Sequence, residues 1–277
     1  MTARRDAAEV VGPAAAGSPA ESRFAAPYRV RFDESTPSGT LRTSALLRYA
    51  QDLAWMHSEA LGFDRDWYAE RSLAWLVRAA VVEVHAAVST GRTLEVTTEV
   101  VGHRKVWARR RGEFRLPGGE SVATVLTDWV LVDGRGRLAR VPEVFEARFP
   151  APAMSDPLLR VELPPVPDGA ARRTFAARRH ELDPVGHVNN AVYLDWLEEA
   201  VADASDEGPA MLDALPRRYR LEYAGAAEPG TTLEAATWRD GTGWAYSLRA
   251  GTAELIRAHF DTAAAAAPSS SRGAGVA

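Results

Sequence analysis

FAARRHELDPVGHVNNAVYLDWLEEAV, residues 175–201, lies on YRVRFDESTPSGTLRTSALLRYAQDLA, residues 28–54, at a constant displacement of 147 with no gap. Tyr28 meets Phe175, Glu34 meets Glu181, Pro37 meets Pro184, Gly39 meets Gly186, Leu47 meets Leu194 and Tyr49 meets Trp196. A second match follows downstream, where GRTLEVTT (91–98) and GTTLEAAT (230–237) agree at five of eight positions at a displacement of 139. A third pairs Trp107-Ala108 with Trp244-Ala245 at 137. The matches keep their order, so the chain reads as one unit repeated, with small differences in loop length between matches.

Each copy has the same coarse layout. A strand is expected at 27–34 and at about 173–181, then a Pro/Gly turn, then a helix at about 43–61 and 189–205. Leu46, Tyr49, Leu53, Met56 and Ala60 recur at steps of three and four, which places them on one helical face. The second helix has a broader stripe in Val192, Tyr193, Trp196, Leu197, Ala200 and Val201. Strands are expected at 73–86, 93–103, 105–116 and 121–133 in the first copy and at 217–226, 231–239, 243–250 and 253–261 in the second. Gly118-Gly119, Asp133-Gly134 and Asp240-Gly241 supply the turns. One helix followed by an antiparallel meander is an α+β pattern. A long central helix wrapped by such a sheet is the hot-dog arrangement, and two in series make a tandem (double) hot-dog. The expected organisation is a disordered tail at 1–24, a first unit at 25–149, a linker at 150–172 containing a Pro-rich stretch, a second unit at 173–262 and a second disordered tail at 263–277.

Composition narrows the function. The 277 residues hold no cysteine, which excludes disulfides, thiolate metal sites and a cysteine nucleophile. A formal net charge of −4 argues against bulk attraction to nucleic acid or an anionic membrane. No apolar run reaches the roughly 18 residues of a membrane span, and residues 1–24 hold no apolar signal core, so a cytoplasmic location is expected. There is no Gly-x-Ser-x-Gly elbow and no His-Glu-x-x-His, and neither a metal nor a cofactor is expected.

The segment DPVGHVNN, Asp183 to Asn190, stands directly before the second helix. It reads as a turn with Asn189 or Asn190 as helix cap. It reads equally as a catalytic site. A helix start offers unpaired N–H groups that polarise a thioester carbonyl and hold its oxyanion, and a carboxylate beside it activates water or attacks directly. The leaving thiolate, whose free thiol has a pKa near 8.5, departs without strong acid assistance. The repeat separates the two readings. Thr36 and Thr40 stand where Asp183 and His187 stand, while Pro37 and Gly39 keep the turn. The turn does not need the Asp and His, so their presence in one copy favours a site there, with the chemistry confined to the second copy.

DPVGHVNNAVYLDWLE, Asp183 to Glu198, resembles the Asp-x-x-x-His-Val-Asn-Asn-x-x-Tyr-x-x-Trp pattern of acyl-acyl-carrier-protein (acyl-ACP) thioesterases, double hot-dog enzymes. Leu46-Leu47-x-Tyr49-x-Gln51, His57, Leu61-Gly62, Asp128-Trp129-Val130-Leu131 and Val141-Pro142-Glu143 look like that family's first half. The resemblance implies hydrolysis of fatty acyl-ACP to free fatty acid and ACP, with Asp183 and His187 catalytic. Asn189, Asn190, Tyr193 and Trp196, with Trp55 and Met56 of the first copy, are expected around the acyl thioester substrate. The sequence departs from the family at Val185, where an Asn is usual, and at Ala226 and Ala227, where a polar pair is usual. Two rival readings are an acyl-CoA thioesterase and a catalytically silent acyl-binding module. The expected partner is an acyl carrier protein, with no nucleic acid or membrane, and a homodimer stays open. In the basic run 103–111, Lys105, Arg109 and Arg111 are expected on one exposed strand face as the docking patch for the acidic carrier.

Overall fold

The computed structural model describes residues 22–262. The expected tails therefore fall, apart from residues 22–24, outside the described residues. The first copy contributes β1 (Arg23–Arg29), α1 (Thr43–Ala60), α2 (Arg65–Glu70), β2 (Leu73–Val84), β3 (Thr93–Arg104), β4 (Trp107–Arg115), β5 (Ser121–Asp133) and α3 (Glu143–Arg148). The second contributes β6 (Ala171–Ala176), α4 (Asn190–Ala204), α5 (Gly208–Asp213), β7 (Arg217–Tyr223), β8 (Thr232–Asp240), β9 (Gly243–Ala250) and β10 (Ala253–Asp261). The architecture is the expected α+β double hot-dog.

All ten strands form one antiparallel sheet in the order β1-β3-β4-β5-β2-β7-β10-β9-β8-β6. Exchanging each first-copy strand for its counterpart reverses that order onto itself, so the copies are related by a pseudo-two-fold axis. Residue numbers locate it. Val81 pairs with Arg220 across the central β2–β7 ladder, and 81 + 139 = 220. In the helix layer Arg48 donates to Asp195 at 2.8 Å, and 48 + 147 = 195. Arg29 pairs with Thr93, and Ala176 (29 + 147) pairs with Thr232 (93 + 139). The first two sequence matches thus hold to the residue. The third does not. Phe114 pairs with Val96 and its counterpart Leu248 with Ala235, a displacement of 134, because β3 has 12 residues and β8 has 9.

The main core joins both copies. Leu47, Leu53, Leu94 and Phe114 from the first, and Tyr193, Leu194, Leu221 and Phe260 from the second, are each at most 1% exposed in one continuous cluster. The leading strand of each copy begins and ends earlier than expected. The ends of 27–34 and 173–181 are single 3₁₀ turns, Phe32–Glu34 and Arg179–Glu181, because the Glu34 and Glu181 carboxylates accept from the backbone N–H of Arg31 and Arg178. Short helices α2, α3 and α5 were not expected; each has six residues, too few for a periodic signal.

The segment between the copies runs over the outer sheet face and is tied to two buried carboxylates. Asp128, wholly buried, accepts from Leu159 N at 2.6 Å, and Glu222, 3% exposed, accepts from Val161 N at 2.9 Å. Arg109 reaches Asp128 through Nε at 2.6 Å and Nη2 at 2.9 Å, and donates to Pro157 O at 3.0 Å. Arg78 and Arg160 reach Glu222 at 3.0 and 2.8 Å. Arg109 is therefore withdrawn from the expected docking face. It is 7% exposed, because a buried carboxylate beneath the strap requires a cation. The basic run is also not one strand. Lys105, at φ +42°, turns the chain between β3 and β4, leaving Lys105 and Arg111 exposed on different parts of a hairpin. Arg110 faces inward against α1.

Candidate active site

The turn before α4 is built by its backbone. Asp183 N donates to His187 O at 2.8 Å and Gly186 N to Asp183 O at 3.0 Å. Gly186 sits at φ +86°, where a side chain is disfavoured. The first copy makes the same turn. Thr36 N donates to Thr40 O at 2.7 Å, Gly39 N donates to Thr36 O at 2.9 Å, and Gly39 lies at φ +76°. The equivalence extends to the wall behind. Leu41 N donates to Val88 O and Val188 N to Ala227 O, and 88 + 139 = 227. Identical turns with different side chains show that Asp183 and His187 are not required by the local fold.

Asp183 Oδ1 accepts from Val185 N at 2.9 Å and from His187 N at 3.3 Å. These bonds fix the carboxylate with one oxygen anchored and Oδ2 turned away from them. Among the described residues the His187 side chain makes no hydrogen bond to Asp183; the His187 backbone N–H meets the carboxylate instead, and the imidazole is exposed. Asn189 caps α4, its Oδ1 accepting from Ala191 N at 2.9 Å. Asn190 opens the helix, and its carbonyl accepts from Tyr223 OH at 3.0 Å.

Tyr193 lies one turn into α4, and its hydroxyl oxygen accepts from Ala227 N at 2.8 Å. Burial pushes this phenol above its usual range and the nearby Asp183 charge adds to the effect, so it keeps its proton. Trp196 serves as a brace. Its Nε1 donates to Glu181 at 3.2 Å, as Tyr49 OH donates to Glu34 at the equivalent place, and its ring meets Phe175 and Tyr193 edge-on. Val185, at the first departure from the family pattern, is 64% exposed on the outside of the turn. Ala227, at the second, is buried directly behind it.

One residue that sequence reasoning left out of the site comes from the other copy. Gln51 of α1 accepts from Asn189 Nδ2 at 3.3 Å, and its own Nε2 is buried with no hydrogen-bond partner. A buried unpaired amide is costly, and this one lies beside the first turn of α4. Gln51 stood among the residues carrying the resemblance, but a repeat aligned end to end hides that α1 of one copy meets the cap of the other. Trp55 and Met56 lie one turn further along α1. Trp55 is 40% exposed with its indole N–H on Glu59 at 2.6 Å, and Met56 Sδ faces Tyr28 OH at 3.7 Å. Among the described residues no cluster of His, Asp or Glu is arranged to hold a metal, and no helix is long and apolar enough to cross a membrane.

Comparison with known proteins bears on this arrangement. The family model for the acyl-ACP thioesterase N-terminal domain matches residues 21–149, and that for the C-terminal domain matches 167–263. The chain belongs to the acyl-ACP thioesterase family. A chloroplastic acyl-[acyl-carrier-protein] hydrolase of Cuphea viscosissima is 26% identical over 235 residues, covering 79% of this chain and 56% of that protein. A chloroplastic dodecanoyl-[acyl-carrier-protein] hydrolase of Cinnamomum camphora is 24% identical over 231 residues, covering 77% and 59%. The chain thus spans little more than half the length of these relatives. Among solved structures, the 12:0-ACP thioesterase of Umbellularia californica superposes with a TM-score of 0.71 at 22% identity, over 86% of this chain and 96% of that one. An acyl-ACP thioesterase of Bacteroides thetaiotaomicron gives 0.73 at 14%, over 88% and 99%. These two likenesses establish the double hot-dog fold of the acyl-ACP thioesterase family in this chain.

Proposed function

We propose that the chain hydrolyses fatty acyl-ACP thioesters to free fatty acid and ACP at the junction of the Asp183 turn, the start of α4 and Gln51. The observation that carries this reading is a carboxylate anchored through one oxygen by two backbone N–H groups in the turn leading into α4, whose cap residue Asn189 also meets Gln51 of the other copy, an amide with its Nε2 unpaired. The thioester carbonyl oxygen sits beside the start of α4, where Ala191 N and Val192 N already donate to Asn189, and accepts from Gln51 Nε2. Asp183 Oδ2 takes a proton from water as the water oxygen bonds to the carbonyl carbon. The tetrahedral oxyanion then collapses, the C–S bond breaks, and the proton held by Asp183 passes to the departing thiolate. Tyr193, a proton-bearing phenol beside Asp183, holds the water or the carboxylate in line.

The pseudo-symmetry supports Trp55 as a wall of the acyl channel. Its counterpart is Ala202 (55 + 147), which lines a cavity at the equivalent place in the other copy. The carrier approaches over exposed basic groups. Lys105 and Arg111 remain from the hairpin, and Arg178, Arg179 and His180 lie exposed a few residues before Asp183. The silent-module reading is favoured by the small apolar side chains at Ala226 and Ala227. A release assay with acyl-ACP and acyl-CoA thioesters of several chain lengths tests the proposal: free thiol and fatty acid appear from acyl-ACP. If neither substrate is cleaved, the silent module is the better reading; equal rates on both favour a hydrolase indifferent to the carrier.

A further inference from the structure

A cavity of about 610 Å³ lies at the place related to the Asp183 site by the pseudo-two-fold axis. Its walls include Thr36, Thr40 and Thr43, the counterparts of Asp183, His187 and Asn190 at 147 residues, and Val84, the counterpart of Tyr223 at 139. Two substitutions relative to the Asp183 site open it. Leu46 stands where Tyr193 stands, and Val84 where Tyr223 stands, so two phenol rings are absent from the cavity wall. A third changes its chemistry. Glu198 of α4 occupies the position that Gln51 of α1 occupies at the other end of the helix pair (51 + 147 = 198).

The cavity is amphipathic. At one end Tyr219 OH donates to Glu198 Oε1 at 2.7 Å, and burial raises this carboxyl above its usual range against the opposing pull of Tyr219, Thr43 and Arg217. Beside it Arg217 donates to Leu212 O at 2.7 Å and Thr43 Oγ1 at 3.1 Å, and its buried Nε has no hydrogen-bond partner. Leu46, Val84, Val122, Leu212 and Leu215 make an apolar stretch of the remaining wall, and Thr36, Ser38, Thr40 and Asp213 make its polar part. Its volume falls within the roughly 300–1,000 Å³ of small-ligand sites. The cavity is not a continuation of the Asp183 site. The two ends are eight residues apart along each helix, about 12 Å at 1.5 Å per residue, and Leu47 and Leu194, at 1% and 0% exposure, fill the helix pair between them.

We propose that this second pocket binds a linear acyl chain by its carbonyl end, with Arg217, Thr43 and Glu198 at the head and the apolar wall around the chain, and that it binds without hydrolysing. The Thr36 turn holds no carboxylate, and the Glu198 oxygen is held by Tyr219. The choice of an acyl ligand rests on the hydrolase reading; the pocket itself does not. Two sources supply the shared head chemistry, the thioester substrate and the free acid product, and the experiment separates them.

Full-length Asp183→Asn protein is titrated calorimetrically with dodecanoate and with dodecanoyl-pantetheine. Two molecules per chain are expected for at least one probe; the probe that gives the second site names the source. Val84→Phe, which refills the volume of the missing ring, should reduce the count to one, and Glu198→Gln should weaken the second site about tenfold or more. In the Asp183-intact chain both variants should leave hydrolysis within about threefold of the unaltered rate. Leu215→Trp, at the partly exposed mouth, repeats the test if Val84→Phe does not fold. A count of one for both probes overturns the proposal, as does a count of two that survives filling in a folded variant. If the unaltered chain cleaves no thioester, the hydrolase reading falls while the count still decides the pocket.

Discussion

Asp183 and Thr36 occupy the same turn in the two copies, and the backbone treats them alike. The difference is therefore chemical, and substitution isolates it. Asp183→Asn keeps the shape and the acceptor at Val185 N but removes the base. kcat should fall about 10²-fold or more, the scale of losing a general base, with the unfolding midpoint little changed; a wild-type kcat would remove Asp183 from the chemistry. Gln51→Leu removes the proposed donor to the carbonyl oxygen, a bond that strengthens as the oxyanion develops, so kcat should fall by more than KM rises. Arg110 offers a contrasting case. It is buried, with Thr98 and His57 as partners, under the Phe149 ring. Burial lowers its guanidinium well below the usual range, to about 10. A cation whose folded value is depressed destabilises the fold at every pH below about 10, and the penalty is relieved only as pH climbs from there toward the value of a free guanidinium. The depression corresponds to about 3 kcal/mol, and the two hydrogen bonds return about 1 kcal/mol each. The ladder equates Arg110 with Trp244 (110 + 134), so the fold accepts an apolar side chain there. Arg110→Met should raise stability by about 1 kcal/mol, equally at pH 6 and pH 9 in urea unfolding; a loss of that size would mean that the guanidinium stabilises the core.

At the scale of elements, the strap between the copies is held by Asp128 and Glu222 rather than by apolar packing alone. Breaking one partner of a buried ion pair strands the other, at a cost of about 3–5 kcal/mol. Asp128→Asn should lower the urea midpoint accordingly, and a change below about 1 kcal/mol would show that the strap is not tied through this carboxylate. The basic turn at Arg178 and Arg179 is the second element with a testable role. Reversing both to Glu should raise KM for acyl-ACP about tenfold at low salt and leave acyl-pantetheine unaffected, whereas Lys105→Glu with Arg111→Glu, farther along the chain from Asp183, should act more weakly. Equal losses on both substrates would point to a damaged pocket. These elements also mark where the sequence was legible. The 147-residue displacement set both long helices to within one residue, since the Pro/Gly turn before each and its apolar stripe are local signals. The docking strand failed because alternation assumes an uncovered outer face, and the strap that covers Arg109 is a distant segment. Gln51 escaped because its partner Asn189 is 138 residues away and belongs to the other copy.

For the molecule as a whole, pseudo-symmetry joins two half-sites that neither copy completes alone. α1 brings Gln51 to the cap of α4, and α4 brings Glu198 to the start of α1. The two ends can therefore differ independently, one turn carrying Asp183 and the other Thr36 with a cavity behind it. The same geometry fixes how the molecule unfolds. The β2–β7 ladder joins the copies into one sheet from Ala79–Glu222 to Val84–Arg217, and the main cluster takes fully buried side chains from both. Opening one copy would expose the inner faces of Leu47 and Leu194 and unpair the central ladder, and the cluster around Phe63, Phe145 and Phe149 that belongs to the first copy alone is much smaller than this shared core. Calorimetry of the full chain should give a single transition whose van't Hoff and calorimetric enthalpies agree. A substitution in either copy, Leu53→Ala in α1 or Leu197→Ala in α4, should lower that one transition by about 2–5 kcal/mol without splitting it. Two resolved transitions, each sensitive to only one of these substitutions, would show that the copies fold as separate units and that Gln51 reaches the second site only after docking.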